Sequence, residues 1–364
     1  MSADQLLIAL MALFAVLGAL DRIFGGRFGI GREFESGILT MGSLALAMVG
    51  IVCLAPVLAA VLRPVVVPVF RLLGADAAMF AGSILACDMG GGALARELTQ
   101  NADAAALGGV ITGSMLGATV VFTIPVAMGI LDEGDRPAMA KGILCGIITI
   151  PVGVLVGGLV AGFPLAMVAQ NLIPIVILAA LIALGLWRAE KAMVRGFELF
   201  GKGVVAVSTA GLAAAIAQSL TGWTIIPGMA PIADGFQTVG SIAIVLAGAF
   251  PLVAILTRLL QKPLLAAGRH LGINDVAAAG LIASLANSIA TFGMVKDMNP
   301  RGKVVNIAFA VSAAFVFGDH LGFTAGFAPE LLPAVILGKL SGGVSAVLVA
   351  LLLTAKEGDS TKRS

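Results

Sequence analysis

The sequence predicts an all-α polytopic membrane protein: two inverted repeats of five segments each, a linker helix between them, and discontinuous or re-entrant third and ninth segments. Three observations predict it, namely the composition, the run of long apolar segments, and a likeness between the two halves at a fixed offset. Of 364 residues, 59% are hydrophobic and only 12% charged, with a mean hydropathy of +1.08. Soluble domains carry about 25% charged residues, so this chain belongs in a lipid bilayer. The net charge is +2 and no basic cluster is interleaved with aromatics, so nucleic acid is not an expected partner. Cys53, Cys87 and Cys145 are odd in number and sit in apolar runs, which argues against a disulfide framework.

The first segment, near 5–20, follows MSADQ and precedes Asp21 and Arg22. It lacks the basic start of a secretory signal and is expected to be retained as a membrane helix with its N-terminus outside. Ten more apolar segments follow near 38–62, 77–98, 104–131, 142–163, 170–187, 199–220, 237–260, 275–295, 303–328 and 335–355. Most reach the roughly 20 residues that cross about 30 Å of hydrocarbon. Gly42-Ser43 recurs as Gly240-Ser241, Gly50 as Gly248, Leu73-Gly74 as Leu271-Gly272 and Gly82 as Gly280, each 198 residues later. Residues 1–165 and 199–364 therefore read as two repeats, with 166–198 as a linker helix and cytoplasmic loop.

Lys and Arg favour the cytoplasmic side of a membrane. If all eleven segments cross, alternate loops divide the 22 basic residues 12 to 10, which is no bias. If the third and ninth enter and leave on one side, the division becomes 18 to 4, with Arg63, Arg71, Arg96 and Lys339 outside. Nine crossings and two re-entrant elements result. Equivalent segments are then separated by an odd number of crossings, so the repeats have opposite topology. Inverted repeats with helices broken at mid-membrane are a transporter arrangement, and the breaks point to the binding site.

The third segment contains "LACDMGGG". Of 20 acids, only Asp88 and Asp319 lie well inside apolar sequence, where a carboxylate costs about 2.5–3.5 kcal/mol on insertion scales. Gly90, Gly91 and Gly92 give the backbone freedom to break the helix behind Asp88, and broken backbone is tolerated only against protein or a wet cavity. Asp88 is thus a candidate cargo ligand, or else the N-cap of a half-helix over Ala93–Leu98. At the matching break, "SLANSIATFG" puts Asn287 between Ser284 and Ser288. Its amide either meets a substrate hydroxyl or bonds its own broken backbone.

In "FGDHLGF", Asp319 adjoins His320, one of two histidines. An intramembrane Asp-His pair is a candidate for cation binding, proton coupling or gating, and its bland alternative is a pair near the outer interface satisfied by water or Lys339. Gly109, Gly113 and Gly117 fit close helix packing. No HExxH, GxSxG or nucleotide motif occurs, so neither a metal, a cofactor nor direct ATP drive is expected.

The stretches "FESGILTMGSLALAMVG", "MFAGSILACDMGG" and "FAVSAAFVFGDHLGF" resemble the ethanolamine permease family of bacterial ethanolamine utilisation (EutH), from Asp21-Arg22 to Gly338-Lys339-Leu340. The chain is shorter than familiar members between the fifth and sixth segments and in its charged tail. The resemblance implies a multi-pass protein of the bacterial inner membrane that moves ethanolamine into the cytoplasm by secondary transport or facilitated diffusion. The expected partners are ethanolamine and the lipid bilayer; a proton or sodium ion as coupling ion, and a homo-oligomer, are both compatible with it. Asp88, Asn287 and Asp319 are then the substrate-binding candidates, and His320 with Asp319 the coupling candidates. The competing readings are an intramembrane aspartyl hydrolase using Asp88 and Asp319 as acid and base, and a carrier of another small cation or amino alcohol.

Overall fold

Where water is absent, backbone N–H and C=O groups have only one another as partners, and this chain meets that demand with helices. The computed structural model describes residues 2–355, apart from the side chains of 260–262, 264, 267 and 269. Five basic residues counted above to the inner side, Lys262, Arg269, Lys356, Lys362 and Arg363, are therefore outside the described side chains.

Helix α1 (Ala3–Ile23) ends where Asp21 accepts hydrogen bonds from the N–H groups of Phe28 (2.9 Å) and Gly31 (2.8 Å), which turns the chain into α2 (Ile30–Leu44). A π-helical turn at Ala45–Val49 carries α2 directly into α3 (Gly50–Leu72). The third segment is split into α4 (Ala78–Ile84) and α5 (Gly91–Leu98) by an extended Leu85 and a 3-10 turn at Cys87–Met89. Thr99, just past α5, donates to the carboxylate of Asp76, just before α4, at 2.8 Å. The two half-helices therefore fold back as a hairpin with both ends together.

After α6 (Ala102–Ala105) the chain runs in π-helical form over Ala106–Gly117 and Thr119–Thr123 before α7 (Ile124–Ile130). Gly109 abuts Ala95, Gly113 abuts Cys87 and Gly117 abuts Leu85, so the glycine series is the surface on which the hairpin lies. Helix α8 (Arg136–Val160) is central, packed on α9 (Leu165–Thr221), α13 (Pro300–Ala313) and α15 (Leu332–Leu353). Residues 188–198, expected as a loop, are helical within α9, and the change of direction is concentrated at Ala189 (φ −145°, ψ 47°). The kink brings the half-buried Met193 against the half-buried Gly185.

Helix α10 (Ile232–His270) is followed by a second hairpin, α11 (Asp275–Ala286) and α12 (Ser288–Met294). Its ends are joined where Asn274 donates to the carbonyl of Asp297 at 3.0 Å and Asn299 to that of Gly272 at 3.0 Å. The tenth segment, expected to be continuous, is broken between α13 and α14 (Asp319–Phe327). Phe315 there takes a left-handed φ of 63°. The break is held by hairpin two: Phe315 N–H donates to Ser284 (3.0 Å) and Phe317 N–H to Leu285 (2.8 Å). Carbonyls freed at the end of α11 thus satisfy amides freed at the end of α13.

Among the described residues, seven helical stretches are long and apolar enough to cross a membrane: Ala3–Ile23, Ile30–Leu72, Ala102–Ile130, Glu133–Val160, Leu165–Thr221, Ile232–Leu259 and Pro329–Leu353. The protein is an all-helical, polytopic membrane protein.

Candidate functional site: a cavity between the two halves

The break in hairpin one places Asp88. Gly90 precedes α5 with φ 93° and lies so close to Ile51 of α3 that any side chain there would overlap it. The turn itself falls at Leu85–Gly90, and Gly91 and Gly92 are already the first residues of α5. Gly92 leaves room for the rings of Phe323 and Phe327 on α14, and Arg96 donates to the Phe327 carbonyl at 3.0 Å. Hairpin one is thereby latched to the helix that begins with Asp319 and His320.

These contacts bring together residues distant in sequence. Nε2 of His320 lies 3.8 Å from Oδ1 of Asp88. Asp88, Asp319 and His320 all line one cavity of about 840 Å³. Its inner wall is aromatic, with Phe122 edge-on to Phe315 at 5.5 Å and Phe315 against His320 at 5.2 Å. Arg136, Glu198 and Lys202 line it at the opposite end, the last two as an ion pair at 2.6 Å. The Asp88 side chain keeps 13% of its surface exposed, whereas His320 is buried and its Nδ1 has no hydrogen-bond partner. The N-cap position of α5 is held by Gly90 and not by Asp88, which counts against the N-cap alternative.

Asn287 stands apart. Its side-chain oxygen accepts from the Ile289 N–H at 2.7 Å, capping α12, and it is not among the residues lining the cavity. Its neighbour Ser284 is paired with Thr291 at 2.8 Å.

Lys339 corrects the sequence reading. The charge count puts it on the outer side, but it lies within α15 with 1% of its surface exposed, and its Nζ donates to the Ser114 carbonyl at 2.5 Å. Ser114 follows Gly113, which abuts Cys87 on the turn that carries Asp88. Lys339 is thus held beside the turn that carries Cys87 and Asp88. The signal was present: Lys339 is the single charged residue of α15, and the intramembrane rule applied to the acids holds for bases as well.

Ligand atoms of Cys87, Asp88 and His320 lie within 4.8 Å of one another, a donor set that suits a borderline divalent ion such as zinc. The ammonium of Lys339, buried beside the same turn, opposes a dication.

Residues 3–353 match the family described as "Ethanolamine utilisation protein, EutH". The chain belongs to the EutH family. A "Probable ethanolamine permease EutH" of Listeria monocytogenes is 58% identical over 353 residues, covering 97% of this chain and 95% of the relative. The "Uncharacterized protein YxeR" of Bacillus subtilis is 49% identical over 354 residues, covering 97% and 96%. The Escherichia coli "Probable ethanolamine permease EutH" is 48% identical over 395 positions, covering 98% and 97%, and so carries residues this chain lacks. No solved structure matches the chain. Relatives named permeases are transporters and not enzymes, which sets the hydrolase reading aside.

Proposed function

We propose that the protein carries ethanolamine, as its ammonium ion, into the cytoplasm across the inner membrane of a bacterium, by secondary transport or facilitated diffusion. One observation carries this reading: two intramembrane carboxylates from opposite halves, Asp88 and Asp319, open into a single cavity. An alkylamine titrates near lysine, at about pH 10.4, so near neutral pH the cargo is a cation that crosses hydrocarbon poorly. Asp88 and Asp319 serve as its counter-charges, and His320 offers a ring nitrogen to its hydroxyl. Asn287 acts in holding hairpin two rather than on cargo in this conformation.

The two hairpins support a re-entrant pair related by inverted repeats. On that reading α9 supplies two crossings, and the interrupted α13–α14 supplies another, which brings the seven long stretches to nine. Arg136 and Lys202 at the cavity mouth belong to the side that the basic-residue count makes cytoplasmic, so the cavity faces inward.

The test is uptake of labelled ethanolamine into proteoliposomes, with Asp88→Asn as comparison. A hydrogen bond to a charged group is worth about 1.5–3 kcal/mol against about 0.5–1.5 for a neutral one, so the exchange removes about 1–1.5 kcal/mol, or roughly 5- to 13-fold in affinity. Uptake by the variant equal to that of the parent removes Asp88 from the mechanism. Imposed proton and sodium gradients separate coupled transport from facilitated diffusion.

A further inference from the structure

We propose that Lys339 determines specificity: its buried ammonium cancels one of the two carboxylate charges at the cavity floor and so restricts the cargo to a single positive charge. The inference rests on the transport reading above and adds what that reading leaves open, the valence of the cargo.

A lysine in an apolar interior is expected to have a carboxylate against it. Lys339 has none within 4.0 Å among the described residues; its one hydrogen bond goes to the Ser114 carbonyl. The contact between Gly113 and Cys87 nonetheless sets this part of the chain against the turn bearing Asp88. The ammonium is therefore held, through Ser114 and Gly113, beside the turn that bears the carboxylate, while Asp88 itself lines the cavity. A direct ion pair would have occupied the carboxylate and excluded cargo.

The formal charges decide what fits. Asp88 and Asp319 contribute two negative charges and Lys339 one positive, so the floor carries one net negative charge when His320 is neutral. At the mouth Glu198 is paired with Lys202, and Arg136 with Glu133 outside the cavity lining. One ammonium brings the floor to neutrality. A cargo with two leaves an unmatched positive charge in an apolar site, which is unfavourable. Two carboxylates without Lys339 would suit a diamine as well as an amino alcohol. Lys339 is in effect a second ammonium built into the protein.

The experiment measures how well unlabelled ethanolamine and 1,3-diaminopropane each compete with labelled ethanolamine for uptake into proteoliposomes. The parent protein should be inhibited by the diamine at least about tenfold more weakly than by ethanolamine. In Lys339→Met and Lys339→Gln that ratio should shift towards the diamine by about tenfold or more, and Lys339→Arg should keep the parent ratio. Asp319→Asn alone should lose ethanolamine uptake, and Asp319→Asn with Lys339→Met should regain it with the parent preference. The double variant restores the charge balance that either single change upsets, so it supplies the comparison if a single variant fails to fold. Equal competition by both amines in the parent, an unchanged ratio in the Met and Gln variants, or no rescue in a folded double variant overturns the proposal. Absence of any ethanolamine uptake by the parent overturns the transport reading itself, whereas uptake with an unaltered ratio overturns the valence role alone.

Discussion

Gly90→Ala should damage the protein through two separable effects, both set by the turn that presents Asp88. The first is conformational: Gly90 sits at φ 93°, ψ −1°, and a left-handed backbone costs a residue with a Cβ about 1–2 kcal/mol. The second is steric. The new methyl would lie 2.1 Å from the Cγ2 of Ile51, a side chain only 2% exposed, and such overpacking costs about 1–3 kcal/mol. Together they come to roughly 2–5 kcal/mol, a large fraction of a typical folding free energy. The chain can meet this cost by losing stability, or by rotating the Leu85–Gly90 turn and moving the Asp88 carboxylate away from His320. A fall in the thermal denaturation midpoint in detergent reads the first, and a fall in ethanolamine uptake reads the second. Gly240→Ala is the control, since Gly240 lies within α10 at an ordinary φ with open space where its Cβ would be. A Gly90→Ala protein that matches Gly240→Ala in both midpoint and uptake would refute the account of the turn.

Asp135→Asn should lower the thermal midpoint by removing the partner of Lys303; the pair is largely but not wholly buried, so the loss should be about 2–3 kcal/mol, below the 3–5 of a fully buried pair. Replacing both, as Asp135→Leu with Lys303→Met, should recover most of it, and thermal denaturation of the three proteins decides the matter. His320→Gln should weaken ethanolamine uptake, because it alters the ring that lies 3.8 Å from the Asp88 carboxylate and lines the cavity. Uptake by the variant equal to that of the parent would remove His320 from the site.

Much of the architecture could be read from residue order because lipid imposes a simple rule. A segment that must satisfy its own backbone becomes a helix, and a charge or a glycine run marks where it cannot continue. Asp88 followed by Gly90, Gly91 and Gly92 revealed a break in this way, and Asn287 marked its counterpart between α11 and α12. The break before Asp319 is not legible in the sequence because "AAFVFG" has no turn composition. Phe315 adopts its left-handed φ only because Ser284 and Leu285 of another segment supply carbonyls to the amides of Phe315 and Phe317. Residues 188–198 misled in the opposite sense: their charges suggested a loop, yet charge alone does not interrupt a helix that emerges into water.

Composition, segment length and the placing of acids and glycines determined by themselves that this chain is a helical membrane protein with two acidic positions of interest, since each is a property of local sequence in an apolar solvent. Whether those positions share a site is a question of distance between helices, and no local property encodes it. Only the tertiary structure decided that Asp88 meets His320, that Asp319 opens into the same cavity, that Asn287 caps a helix away from it, and that Lys339 stands behind it. Electrostatic energy falls with separation in space and is blind to separation along the chain, so the charge of the site exists only once the halves are packed.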